Sequence, residues 1–138
     1  MRLDIDLQPI KEQIQRFTIK PFATDYVVFG DWRVAAHAGG YFLLSDTGHR
    51  FSFRKDEQDV LFETLEKIKG NELEIATYAT GTGAIRYKGT FHAHKFKRVN
   101  SANDYFEKAL AASGLTVVCY GSKSEMYETK FAAIVVAA

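Results

Sequence analysis

Between residues 25 and 55 the chain alternates apolar with polar positions in short runs, broken at Gly39-Gly40 and at Asp46-Thr47-Gly48. Alternation with period two marks strands that bury one face, and both breaks suit hairpin connections, so the segment reads as an antiparallel meander. If residues 46–48 form the second loop, Leu43 faces Phe51 and Tyr41 faces Phe53. That register gathers four large apolar side chains on one side. It leaves Phe42, Leu44, Arg50, Ser52 and Arg54 on the other. The period then changes. Leu61, Leu65 and Ile68 recur at helical spacing between a capping Asp56 and the stop Gly70-Asn71, which predicts a helix over 56–69.

A second hairpin is expected over 72–98, turning at "TGTG". With 81–83 as its loop, Ala79 pairs with Ile85, Thr77 with Tyr87, Ile75 with Gly89 and Leu73 with Phe91, and the inner face is apolar. Ser101 and Asp104 have capping-box spacing and open a helix whose buried stripe is Tyr105, Phe106, Ala109 and Leu110, ending at Gly114. The C-terminal segment reads as a third hairpin turning near Ser122 to Glu125. Its last strand is apolar at both parities (Phe131, Ala133 and Val135; Ala132, Ile134 and Val136), as befits a strand covered on both faces. At the N-terminus, Leu3, Ile5 and Leu7 alternate with Asp4 and Asp6 like a short strand. Pro9, Ile10, Ile14 and Phe17 then fit a short helix with proline in its first turn.

This order (hairpin, helix, hairpin, helix, hairpin) implies one α+β domain over 1–138. Its mainly antiparallel, curved sheet would have about six to eight strands, with two main helices packed on one face. Seven strands would span roughly 34 Å, whereas two helices cover about 20 Å. The remainder needs a cover, so either the sheet curls or a second chain packs on it. The C-terminal strand is therefore a candidate homodimer contact.

Composition agrees with a folded domain. At 138 residues, 46% apolar and 25% charged, the chain can bury a core without disulfides or metal. Its one cysteine, Cys119, lies in the apolar run "LTVVCY" and reads as a small buried thiol. The N-terminal residues mix apolar with acidic positions and lack the apolar run of a signal peptide or membrane span. A cytoplasmic protein with no membrane partner is expected.

A net charge of +1 supplies no global field, so any electrostatic function must come from local segregation. Residues 84–100, "AIRYKGTFHAHKFKRVN", hold five Lys and Arg, two His and three aromatics with no carboxylate. On the expected register Arg86, Lys88, His92, His94 and Arg98 share the outer face, and Tyr78 and Phe96 are placed to stack. Lys95 and Lys97 have the opposite parity and reach solvent beyond the edge. Forked guanidinium donors, a point charge and π-faces together suit phosphate or nucleotide recognition. The competing reading is a strand that merely puts its charges into water, and Glu72 and Glu74 offset part of the field at the far end.

Other constellations are incomplete. His92 and His94 would stand roughly 7 Å apart on one strand face and would chelate a metal if His37, Glu72 or Glu74 joined them, although the flanking cations disfavour an ion. Asp46-Thr47-Gly48 is the aspartic-protease triplet, but Ser45 and His49 flank it and no apolar-apolar-Gly partner segment follows, which leaves a hairpin loop. Gly81 and Gly83 precede no helix and make no phosphate cradle. Ser113, Ser122 and Ser124 lack a nucleophile elbow. His49 is a loop-end side chain, His37 a strand histidine with proton transfer as the alternative, and Trp32 a core anchor near the sheet's edge.

With no catalytic set and no cofactor motif, the sequence points to a non-enzymatic binding protein. It would capture an anionic small molecule, a nucleotide-like ligand or an acidic protein surface through Tyr78, Arg86, Lys88, His92, His94, Phe96 and Arg98. An inhibitor, immunity or anti-defence role suits such a chain. The alternatives are a small metal-dependent hydrolase using His92, His94 and Glu72, and weak nonspecific nucleic-acid binding.

Overall fold

The computed structural model describes residues 5–17, 25–37, 39–70, 72–79, 84–125 and 128–137. Among them the architecture is α+β, with nine strands whose described pairings are all antiparallel and three α-helices. The chain divides into two compact units, 1–72 and 73–138. The ninth strand, beyond the expected number, arises because the basic stretch is split into two short strands by a tight turn.

In the first unit Leu3 and Asp4 lie outside the described residues, and Leu7 opens helix α1 (Leu7–Gln15) where a strand was expected. The reason is Asp6: its carboxylate accepts the Gln8 N–H at 3.0 Å, an N-cap that outweighs the short alternation. Strands β1 (Tyr26–Phe29), β2 (Trp32–His37), β3 (Gly40–Leu44) and β4 (Arg50–Arg54) follow as a meander. Leu43 faces Phe51 and Tyr41 faces Phe53, as the alternation requires. A 3₁₀ turn, Lys55–Glu57, precedes α2 (Gln58–Lys69). Asp56 therefore sits inside the turn and does not cap the helix. The Arg54 N–H instead donates to Glu57 Oε1 at 2.8 Å.

The two helices bury Leu7, Ile10 and Ile14, and Leu61, Leu65 and Ile68, while the strands bury Phe29, Val34, Leu43, Phe51 and Phe53. Helices cover one face of the sheet, with Lys11 and Glu66 pairing at 2.8 Å between them and Gln58 Nε2 donating to the Tyr41 hydroxyl at 2.8 Å. Trp32 is partly buried and sits 6.3 Å from the Phe51 ring, so it does anchor on the core. Gly40 is required by close approach, since a Cβ there would stand 2.1 Å from the Phe53 carbonyl oxygen.

The second unit contains β5 (Glu74–Ala79), β6 (Ile85–Tyr87), β7 (Thr90–His92), α3 (Ala102–Ala112), β8 (Leu115–Glu125) and β9 (Glu128–Ala137). Its strand order is β8-β9-β5-β6-β7, and β7 is an edge. Ser101 caps α3 by accepting the Asp104 N–H at 3.1 Å, and Gly114 follows the helix at φ +74. Phe106, Ala109 and Leu110 pack against Ala76, Ile85, Ala133 and Val135, and Tyr105 packs partly buried beside them. The β8 strand runs through to Glu125, which pairs with Glu128 of β9, so the third hairpin forms as expected with its strands reaching slightly further than Ser122. A β-bulge between Val117 and Cys119 switches parity and turns Tyr120 toward Phe106, 6.2 Å ring to ring. It leaves Cys119 only partly buried, against the expected buried thiol.

In β9, Ala132, Ala133, Ile134 and Val135 are all fully buried, matching its two apolar parities. Both of its edges are hydrogen-bonded, to β8 and to β5, so β9 offers no free edge to a second chain.

The β5–β6 register is one residue from the expected one: Tyr78 pairs with Ile85 and Thr77 with Arg86. A one-residue slip reverses the facing of a whole strand. Ala76 and Tyr78 therefore point into the core, and Ile75 and Thr77 do not. The aromatic cluster accounts for the choice. The Tyr78 ring lies 5.1 Å from Tyr105, 6.1 Å from Phe106 and 6.2 Å from Phe131, and burying a ring among rings outweighs burying Ile75 and Thr77.

Candidate binding surfaces

The basic stretch does not form one long strand. Lys88 (φ +51) and Gly89 (φ +74) make a two-residue turn between β6 and β7, with Tyr87 facing Thr90, Arg86 facing Phe91 and Ile85 facing His92. Two consecutive positive φ values are the signature of the hairpin turn whose twist matches its strands. Facing residues lie on the same side of a ladder, which sorts the candidate residues. Arg86 and Phe91 share the outer side, the guanidinium carbon 5.8 Å from the ring centroid and the ring 63% exposed. His92 falls on the inner side opposite buried Ile85, and Tyr78 is core; neither shares the face of Arg86.

Residues 93–98 return along α3 without strand pairing. The His94 N–H donates to the Tyr105 hydroxyl at 3.2 Å, and its Nε2 pairs with Ser113 Oγ at 3.1 Å. Phe96 stacks on His94 at 5.8 Å and meets Tyr105 edge-on at 5.8 Å. Both are partly buried, so His94 and Phe96 are packing residues that fasten this segment. Alternation sends Lys95 and Lys97 outward, and Arg98 is also exposed.

The basic region that results has two parts: Arg86 beside Phe91 on the outer side of β6–β7, with Lys88 at the turn over the Tyr87 ring, and the exposed Lys95, Lys97 and Arg98 on the segment fastened to α3. None of its five cations makes an ion pair with a described residue, whereas the nearby Lys108 is taken up by Asp104 at 3.2 Å and by the Arg98 carbonyl at 2.7 Å. The Asp104 carboxyl is held below the usual carboxylate range, first by the Asn100 N–H it accepts and then by Lys108. Phe91 escaped the sequence reading because the expected register put it inward, opposite Leu73.

A second surface was also missed, although half of it was visible. The side of the β1–β4 sheet away from the helices carries Tyr26, Val28, Arg33, Phe42, Leu44, Arg50 and Arg54. The Arg33 guanidinium carbon sits 5.1 Å from the Tyr26 centroid, and that of Arg50 sits 4.6 Å from the Phe42 centroid. His37 stacks on Phe42 at 3.9 Å and 11°, and its buried Nε2 has no hydrogen-bond partner among the described residues, contrary to a satisfied strand histidine. Extending the β3–β4 parity across the Gly30-Asp31 turn would have added Tyr26 and Arg33 to the set.

Two clefts accompany these surfaces. One, of about 220 Å³, lies between α3 and β8–β9, where burial and then the Glu107 carboxylate push the Tyr120 phenol up. The other, of about 520 Å³, lies in the first unit between the Gly30-Asp31 turn and the β3–β4 loop. Neither is lined by a cation of residues 86–98. In that loop Ser45, Thr47 and His49 form a hydrogen-bonded chain, each link 2.8 Å, which fixes a hairpin loop as the local sequence implied. Among the described residues no three His, Cys, Asp or Glu side chains converge as a metal site, and no helix is long and apolar enough to cross a membrane. The chain matches no protein-family model, no curated protein and no solved structure.

Proposed function

We propose that this is a non-enzymatic binding protein that engages an acidic protein surface through the β6–β7 hairpin and the segment after it. The observation that carries the reading is the exposed Arg86–Phe91 pair, with Lys88 at the adjoining turn and Lys95, Lys97 and Arg98 on the segment that follows, five cations with no ion pair to a described residue. Arginine beside an exposed aromatic is the composition of interface anchors, and further unpaired cations steer an acidic partner.

Shape favours a macromolecule over a small anion. The turn residues Lys88 and Gly89 and both Thr90 and Phe91 are exposed, and neither of the two clefts described is lined by them, so a partner with its own surface fits the hairpin tip better than a small ligand that needs enclosing. Lys88 adds a further argument. A left-handed turn position favours Gly or Asn, and a lysine there sacrifices local stability for charge at the tip. Stoichiometric occlusion of an acidic partner in the cytoplasm, as an inhibitor, immunity or anti-defence component acts, is the role such a surface suits.

An Arg86→Glu, Lys88→Glu double variant tests it. Its affinity for poly-L-glutamate at low salt is expected to fall by at least about tenfold with the melting curve preserved. Full affinity in a folded double variant contradicts the assignment.

A further inference from the structure

The open face of the β1–β4 sheet has a repeat in it. Across the strands one row reads Val28, Arg33, Leu44, Arg50, and the next reads Tyr26, Ala35, Phe42, Ser52. Each arginine of the first row lies over the ring of the second, Arg33 over Tyr26 and Arg50 over Phe42. The same arginine-on-ring unit therefore occurs twice, two strands and roughly 10 Å apart, with only the small Ala35 between the rings. His37 extends the second unit by stacking on Phe42.

A solitary arginine over a ring is ordinary surface packing, and four further features distinguish this face. Tyr26 and Val28 remain 59% and 54% exposed. The outward strand positions from Tyr26 to Arg54 carry three arginines and a histidine but no carboxylate. Arg33 and Arg50 make no ion pair with a described residue, whereas Arg54 is held by Asp56 and Glu57. Val28, Arg33 and Leu44 also line the 520 Å³ cleft, so the flat face opens into a concave end.

From these we infer that the open face of the first unit binds a single-stranded nucleic acid, with bases stacking on the exposed Tyr26 ring and on the guanidinium plane that Arg50 holds over Phe42, and phosphates against the guanidinium edges of Arg33 and Arg50. Rings and guanidinium planes accept any base by stacking, and guanidinium edges supply the forked donors that phosphate takes. Asp31 and Asp46 also line the cleft and repel phosphate there, which leaves the arginine row on the open face as the backbone track. The doubling of the arginine-on-ring pair on one face, where the second unit's hairpin has a single such pair, suits a ligand that itself repeats base and phosphate. This surface shares no residue with the hairpin of the second unit.

The test is fluorescence anisotropy of the full chain with a labelled oligothymidylate of about eight nucleotides at low salt. The Arg33→Glu, Arg50→Glu variant is expected to bind at least about tenfold more weakly and to lose about 1.4 from the slope of log affinity against log salt, two phosphates at about 0.7 each. Arg33→Lys, Arg50→Lys keeps both charges on exposed positions. It is expected to keep the slope yet lose several-fold in affinity, because ammonium groups do not stack. Arg86→Glu, Lys88→Glu is expected to bind the oligonucleotide more nearly like wild type. The inference is overturned if wild type does not bind, if the lysine variant matches wild type, or if inorganic polyphosphate competes as well as unlabelled oligothymidylate. It is also overturned if only the Arg86, Lys88 variant loses binding, since the hairpin would then hold the anion.

Discussion

Lys88 is where local stability and proposed function pull apart. A non-glycine residue at φ +51 costs about 1 kcal/mol, and asparagine tolerates this position better. Lys88→Asn is therefore expected to raise the unfolding free energy by roughly 0.5–1 kcal/mol in urea titrations while weakening binding to poly-L-glutamate. A variant that gains nothing in stability would show that the turn carries no strain. Asp104 makes a different residue-scale claim. Its folded-state pKa is depressed, so the support it gives α3 is fully present above the ordinary aspartate value of about 3.9 and is lost as pH falls through the lower folded value. The melting-temperature advantage of wild type over Asp104→Asn should be level near neutrality and shrink below about pH 4. An advantage that persists at lower pH would mean the carboxylate charge is not its source.

At the scale of elements, what the sequence revealed depended on whether local chemistry pinned the register. Asp46, Thr47 and Gly48 make a loop of defined length, and the Leu43–Phe51 and Tyr41–Phe53 pairs followed from it. The "TGTG" stretch allows more than one loop length, and there the register was decided by Tyr78 reaching Tyr105, Phe106 and Phe131, contacts distant in sequence. A separate event, the Lys88-Gly89 turn, switched parity between β6 and β7 and so exposed Phe91 and withdrew His92. Because the Tyr78 ring is core, Tyr78→Ala should act on folding alone, destabilising the second unit by about 3–5 kcal/mol as a deleted core aromatic does. Tyr78→Phe keeps the ring and should leave both stability and polyanion binding near wild type. A selective loss of binding in Tyr78→Phe would restore the residue to the site.

For the molecule as a whole, near-neutral net charge conceals segregation: the described ion pairs lie at Lys11, Arg54 and Lys108, while the cations from Arg86 to Arg98 and the Arg33–Arg50 row make none with a described residue. Charges left unpaired on a surface contribute little to stability and much to encounter with an opposite charge. The most direct measurement is an amide-resolved NMR titration of the intact chain with poly-L-glutamate at low salt. The proposed function predicts that shifts concentrate at Arg86, Lys88, Phe91, Lys95, Lys97 and Arg98 and fade as salt is added. Shifts that spare this set, or that centre on Tyr78, His92 and His94, would contradict it.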